Sequence, residues 1–117
     1  MTINIFYLDD EEALCEIFAE ILGTDQIKIT TFINAHEAIS ACQNTPPDLF
    51  FIDYRLPNMT GSDVAFAVDS SIKKILVTGD LSVNCDYKFN RIISKPYKFD
   101  HIANMIDEHL GKINVKS

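Results

Sequence analysis

The chain is short of positive charge. It carries 10 lysines and arginines against 17 acidic residues, a formal net charge of −7 with a pI near 4.7. No basic cluster exceeds Lys73-Lys74, and there is no basic tail. Nucleic-acid binding draws on a basic face that neutralises phosphates, so the composition argues against a direct nucleic-acid role for this chain. Cysteine is sparse too. Cys15, Cys42 and Cys85 are widely spaced, odd in number and form no Cys-x-x-Cys pair. That excludes a disulfide framework and points to a reducing cytoplasm, with the thiols used as small apolar residues. Cys42 follows Ala38 and Ile39 at helical spacing, which gives it a core role. Long apolar runs are also lacking: nothing approaches the roughly 18 residues that span a bilayer. The start, MTINIFYLDDEE, is not laid out as a signal or transit peptide, because acids follow a very short apolar run. No repeat, low-complexity segment or interdomain linker occurs. His36, His101 and His109 share no ligand spacing and read as surface or helix-end residues rather than as zinc ligands.

What is present is an ordered set of apolar runs ending in polar residues. Ile3–Leu8 runs into Asp9-Asp10, Leu49–Ile52 into Asp53, Ile75–Val77 into Thr78, and Ile92-Ile93 through Ser94 into Lys95. Nearly continuous apolar runs of this length suit strands covered on both faces. Between them lie amphipathic stretches. Leu14, Ile17, Phe18, Ile21 and Leu22 repeat at three and four, with Gly23 as the stop. Asn34-Ala-His-Glu37 is a capping-box-like start for a helix to about Asn44. Pro46-Pro47 precedes the third strand, and Ser62 or Asp63 is positioned to cap a short helix ending near Ser70. Asp80–Asn90 offers at most one or two helical turns. Lys98–Leu110 presents Ile102, Met105, Ile106 and Leu110 on one face. Phe50, Phe51, Phe66 and Phe99 are expected in the core.

Strands alternating with helices predict an α/β domain with a parallel sheet covered on both faces. In such sheets ligands bind outside the carboxyl ends of the strands. Three carboxylates, a hydroxyl and an ammonium then converge at one edge. Carboxylates that close raise one another's pKa unless a cation neutralises them, and a hard divalent ion such as Mg²⁺ suits them. Asp53 is then placed to act as a carboxylate nucleophile toward a phosphoryl group, with Thr78 and Lys95 binding its oxygens. Each residue alone has a blander reading, as a first-turn acid, a strand end or a solvated lysine. Their joint placement reverses those odds.

These residues, in this order, resemble the receiver domain of two-component response regulators. The resemblance runs from Ile3 to about Leu110 and rests on Asp9-Asp10, on Asp53 in IDYRLPNMTG, on Thr78-Gly79 and on Lys95-Pro96. It implies a flavodoxin-like, doubly wound (βα)5 fold with a five-stranded parallel sheet of order 2-1-3-4-5, a single receiver domain over residues 1–117 with its core at about 3–110 and a polar tail at 111–117. It also implies that Asp53 is the phosphoacceptor and a Mg²⁺ ligand, that Asp10 binds Mg²⁺ directly and Asp9 directly or through water, and that the backbone carbonyl of Arg55 is a further metal ligand. Thr78 would hydrogen-bond the phosphoryl group, Lys95 would pair with it, and the Lys95–Pro96 bond would be cis. The implied donor is a phosphohistidine on a sensor histidine kinase or a histidine phosphotransfer protein. The chain would work in the cytoplasm, on or with a downstream protein, catalysing only its own phosphorylation and dephosphorylation.

Three departures from the family accompany the match. The switch aromatic three residues before the lysine is replaced by Ile92, with Tyr87 or Phe89 as conceivable substitutes. The segment from Thr78 to Lys95 is short, which predicts a stunted fourth helix. Arg55 and Asp80 occupy two positions that tune phosphoryl lifetime, and a salt bridge between them would cover the mouth of the site. Arg55 also counts against an aspartyl-phosphate phosphatase, which typically has a second Asp there. The alternative function is a receiver-like interaction module that works without phosphate. The residues do not decide between a stand-alone receiver and part of a longer regulator, nor do they settle the oligomeric state.

Overall fold

The computed structural model describes residues 2–80 and 85–110. The elements in chain order are β1 (Ile3–Leu8), α1 (Glu12–Leu22), β2 (Ile27–Phe32), α2 (Ala35–Asn44), β3 (Leu49–Asp53), α3 (Gly61–Ala67), β4 (Lys73–Thr78), β5 (Arg91–Ser94) and α4 (Phe99–Leu110). All five strands are parallel, in the order β2-β1-β3-β4-β5. Side chains alternate across the sheet as strand geometry requires. Ile5, Tyr7, Leu49, Phe51, Ile75, Val77 and Ile93 meet α1 and α4 on one face. Phe6, Leu8, Phe50 and Ile52 meet α2 and α3 on the other. With helices on both sides of the sheet, β3 is buried along its whole length.

Two helix readings are corrected. The apolar stripe of α1 is rotated from the expected one: Cys15, Phe18 and Leu22 are buried, whereas Ile17 and Ile21 are 43% and 52% exposed. The rotation is set by Phe18, whose ring stacks on Tyr7 with centroids 4.0 Å apart and planes 14° from parallel. Helix α3 is capped by Thr60, not by Ser62 or Asp63. Thr60 Oγ1 accepts from the Asp63 N–H and Asp63 Oδ2 accepts from the Thr60 N–H, a complete capping box. Asn34 caps α2 as expected, accepting from the Glu37 N–H at 3.0 Å.

Between β4 and β5 the described residues 85–90 contain no helix; part of the predicted one- or two-turn segment, 81–84, lies outside the described residues. Here the chain is anchored by side chains. Lys74 is fully buried, and its Nζ donates to the carbonyls of Asp69 and Ile72 at 2.7 and 3.0 Å and to the Tyr87 hydroxyl at 3.0 Å. Asn90 doubles the clasp, its Oδ1 accepting from the Lys74 N–H and its own N–H donating to the Lys74 carbonyl. Phe66, expected in the core, is 63% exposed, because it lies edge-on against Tyr87 at the rim. Ile92, on the same side of the sheet with no helix over it among the described residues, is 57% exposed.

Candidate functional site

Sheet hydrogen bonding continues one residue past three of the strands and holds the polar residues in place. The Asp9 N–H donates to Phe32 O, the Tyr54 N–H to Val77 O and the Lys95 N–H to Thr78 O, at 3.0, 2.9 and 2.8 Å. Asp9, Asp53, Thr78 and Lys95 are therefore fixed by the rigid sheet, as precise chemistry favours. The loop after Asp53 is held by the Gly61 N–H on Tyr54 O at 2.8 Å. A side chain at Gly61 would not fit: a Cβ there would lie 2.9 Å from both Asp53 O and Leu76 Cδ1.

The sheet edge brings together the expected residues. Asp10, Asp53, Arg55, Thr78 and Lys95 line one open cleft of about 850 Å³ with Glu11, Gly79 and Asp80. Asp9 is fully buried and does not line it. Carboxylate oxygens of Asp9, Asp10 and Asp53 all lie within 4.8 Å of one another, Asp9 and Asp53 buried and Asp10 exposed. Lys95 Nζ spans two of them, 2.9 Å from Asp9 Oδ2 and 3.2 Å from Asp53 Oδ1. Thr78 is buried, and its Oγ1 accepts from the Asp80 N–H at 3.0 Å. The expected pair at the mouth is present, Arg55 Nη2 to Asp80 Oδ2 at 2.5 Å. The Lys95–Pro96 bond is cis. Cysteine takes no part in the acidic cluster: Cys15 Sγ instead donates to the Asp9 carbonyl at 3.2 Å, and burial pushes its thiol up to about 11.

The electrostatics follow from this crowding. Burial, then the negative charge of Asp9, raises the Asp53 carboxyl to about 6, although Lys95 pulls the other way. Burial opposes the charge on Lys95, but its contacts with Asp9 and Asp53 outweigh that and hold the ammonium well above the ordinary lysine range. Three clustered carboxylates and one ammonium leave a formal excess of two negative charges, which a divalent cation with oxygen preference would balance. The donor set fits such an ion.

Three participants lie outside the set expected from the sequence. Glu11 places Oε1 3.8 Å from Lys95 Nζ, and its N–H donates to Asp9 Oδ1 at 2.9 Å. Tyr7 donates its hydroxyl proton to Asp9 Oδ2 at 3.0 Å, and the hydroxyl of Tyr97 lies 2.8 Å from that of Tyr7. The signal is in the sequence: a phenol in an otherwise apolar buried run needs a partner.

A doubly wound sheet with an acid-and-lysine cluster at its switch point places that cluster where open α/β proteins bind their ligands. The chain belongs to the response regulator receiver domain family, whose family model matches residues 5–107. Among curated relatives it is 26% identical over 102 residues to the DNA-binding response regulator MtrA of Mycobacterium tuberculosis, a match covering 81% of this chain and 45% of that protein. It is 34% identical over 62 residues to the probable transcriptional regulatory protein TcrX of the same organism, covering 53% of this chain and 26% of that one. The chain thus spans less than half the length of these curated relatives. In fold it is similar to the response regulator TrrA of Thermotoga maritima, solved in complex with Mg²⁺-BeF, with TM-score 0.81, 24% identity and coverage of 92% and 99%. It is also similar to the signal receiver domain of an HD domain-containing protein from Pseudomonas fluorescens, with TM-score 0.85, 20% identity and coverage of 95% and 96%. Receiver domains are signalling domains of two-component systems. No helix among the described residues is long and apolar enough to cross a membrane.

Proposed function

We propose that this chain is a phosphorylation-switched receiver domain that takes a phosphoryl group onto Asp53 from the phosphohistidine of a sensor kinase or phosphotransfer protein in the cytoplasm. The observation that carries the reading is Lys95, set between Asp9 and Asp53 beside the exposed Asp10. An Asp53 carboxylate oxygen attacks phosphorus, the P–N bond breaks, and the imidazole keeps the electron pair. Lys95 then turns from Asp9 and Asp53 to the phosphoryl oxygens, and Thr78 donates its hydroxyl proton to another of them. Asp10 and Asp53, with Asp9 directly or through water and the carbonyl of Arg55, would hold Mg²⁺. When bound, that ion supplies charge neutralisation of the carboxylates and of the incoming phosphoryl oxygens. Return to the resting state is attack of water on phosphorus, and the Arg55–Asp80 pair stands over that approach. Signalling follows through altered protein contacts.

The reading is tested by incubating the full chain with Mg²⁺ and a small phosphodonor and measuring intact mass, with Asp53→Asn as control. One phosphoryl group on the wild type and none on the variant is the expected result. A wild type that stays unmodified, and does not respond spectrally to beryllofluoride, would favour a module that signals by binding alone.

A further inference from the structure

Tyr7 lies in the middle of the buried core between the sheet and α1, two residues before Asp9. Its ring has what packing requires from Phe18, and phenylalanine would pack there as well. The hydroxyl is the part that needs explaining. A phenol has a single proton, and a carboxylate can only accept, so the proton of Tyr7 is committed to Asp9 Oδ2. Tyr97 must then donate to the oxygen of Tyr7. The result is a directed chain, Tyr97 to Tyr7 to Asp9, in which each bond polarises the next. Its end point is the same oxygen that receives Lys95 Nζ, while Oδ1 is held by the Glu11 N–H.

In the resting state, Asp9 Oδ2 thus has two donors from the protein. The phosphorylated state proposed above calls one of them, Lys95, toward the phosphoryl group. Asp9 has no exposed surface, so an oxygen stripped of its donors there would be poorly compensated. We propose that the Tyr97–Tyr7 hydroxyl pair positions Asp9 at the cation site, keeping Oδ2 in place while Lys95 changes partner. Tyr7 and Tyr97 are thereby positioning residues, acting through Asp9 rather than on the phosphoryl group. The inference rests on the receiver reading for the movement of Lys95, but its effect on the cation site stands without phosphate.

The test uses Tyr7→Phe, Tyr97→Phe and the double variant in the full chain, titrated with Mg²⁺ alone by calorimetry and by tyrosine difference absorbance. Groups that orient metal-binding carboxylates typically change affinity by 10–100-fold, so Tyr7→Phe should weaken Mg²⁺ binding by about tenfold. Tyr97→Phe should cost less, about two- to threefold, because it only polarises the donor that remains. The double variant should be no worse than Tyr7→Phe, since the chain is serial. Mg²⁺ should shift the tyrosine band of the wild type, and Tyr7→Phe should abolish the shift. A folded Tyr7→Phe with wild-type Mg²⁺ affinity and a retained band shift overturns the proposal. Should that variant not fold, unchanged affinity and an unchanged band shift in Tyr97→Phe do the same. A wild type that binds Mg²⁺ but takes no phosphoryl group defeats the receiver reading instead, and leaves this comparison intact.

Discussion

Replacing Asp53 by asparagine should stabilise the metal-free protein, and the size and pH dependence of the gain follow from the site. Burial and the neighbouring Asp9 raise the Asp53 carboxyl from 3.8 to about 6. A group with a raised folded-state pKa binds its proton more tightly in the native than in the unfolded chain, so native stability falls as pH rises through that window. Below about 4 the residue is protonated in both states and contributes nothing; above about 6 the folded state bears the full cost of its charge. The shift from 3.8 to about 6 corresponds to about 3 kcal/mol at neutral pH. Asparagine matches aspartate in shape and leaves Lys95 an acceptor while removing that charge. In EDTA, Asp53→Asn should therefore melt roughly 10 °C above the wild type at pH 7. The gap should shrink on acidification between about pH 6 and pH 4, and it should narrow at pH 7 when Mg²⁺ neutralises the wild-type cluster. Thermal melts followed by circular dichroism across about pH 4–8 give the comparison. A variant that is no more stable than the wild type, or a gap that widens as pH falls, would refute the electrostatic reasoning.

Other outcomes follow from the same geometry. Mg²⁺ at about 100 times its dissociation constant should raise wild-type unfolding free energy by about 2.7 kcal/mol, and Asp10→Asn should remove most of that gain in denaturant melts. Arg55→Ala and Asp80→Ala should each speed loss of the phosphoryl group a few-fold, and Arg55→Ala should change stability by less than about 1 kcal/mol because Arg55 is 73% exposed; equal dephosphorylation rates in wild type and both variants would remove the shielding role. Gly61→Ala should destabilise by about 1–3 kcal/mol through the clash with Asp53 O and Leu76, measurable by urea unfolding. Lys74→Met should cost about 2 kcal/mol by removing a donor from the Asp69 and Ile72 carbonyls, of which Asp69 O keeps the Ile72 N–H, with a change in the near-ultraviolet signal of Tyr87; a silent substitution would show that the clasp does not hold the 85–90 segment.

The acidic edge is legible in the sequence because four of the five strands announce themselves as apolar runs with a polar residue at the carboxyl end, whereas β2, IKITTF, does not, and the strand order is legible only through the family resemblance. Asp9, Asp53, Thr78 and Lys95 stand out by that punctuation alone. The Arg55–Asp80 contact is legible only through the family resemblance, since nothing local to either residue points across 25 positions. Packing is less accessible. Ile17 and Ile21 share their periodicity with Leu14, Phe18 and Leu22, and only the stacking of Phe18 on Tyr7 shows which side of α1 faces inward. Thr60 is hidden as a cap because Gly61 and Ser62 look like loop, although the Thr60–Asp63 spacing fits a capping box. Composition assigns Phe66 to the core, but it lies at the rim because the 85–90 segment carries aromatics instead of a helix. Tyr7 reads at first as one more apolar residue of β1. Its hydroxyl is a buried donor that must find an acceptor, and the strand pattern alone offers Asp9, two residues on and at the same strand end, as the nearest one.

The most direct measurement is the location of the phosphoryl group. After treatment with Mg²⁺ and a small phosphodonor, borohydride converts an aspartyl phosphate to homoserine, and peptide mass mapping identifies the residue. The account predicts conversion at Asp53 and at no other carboxylate. Conversion at Asp9 or Asp10, or none in a chain whose intact mass shows the adduct, would contradict it.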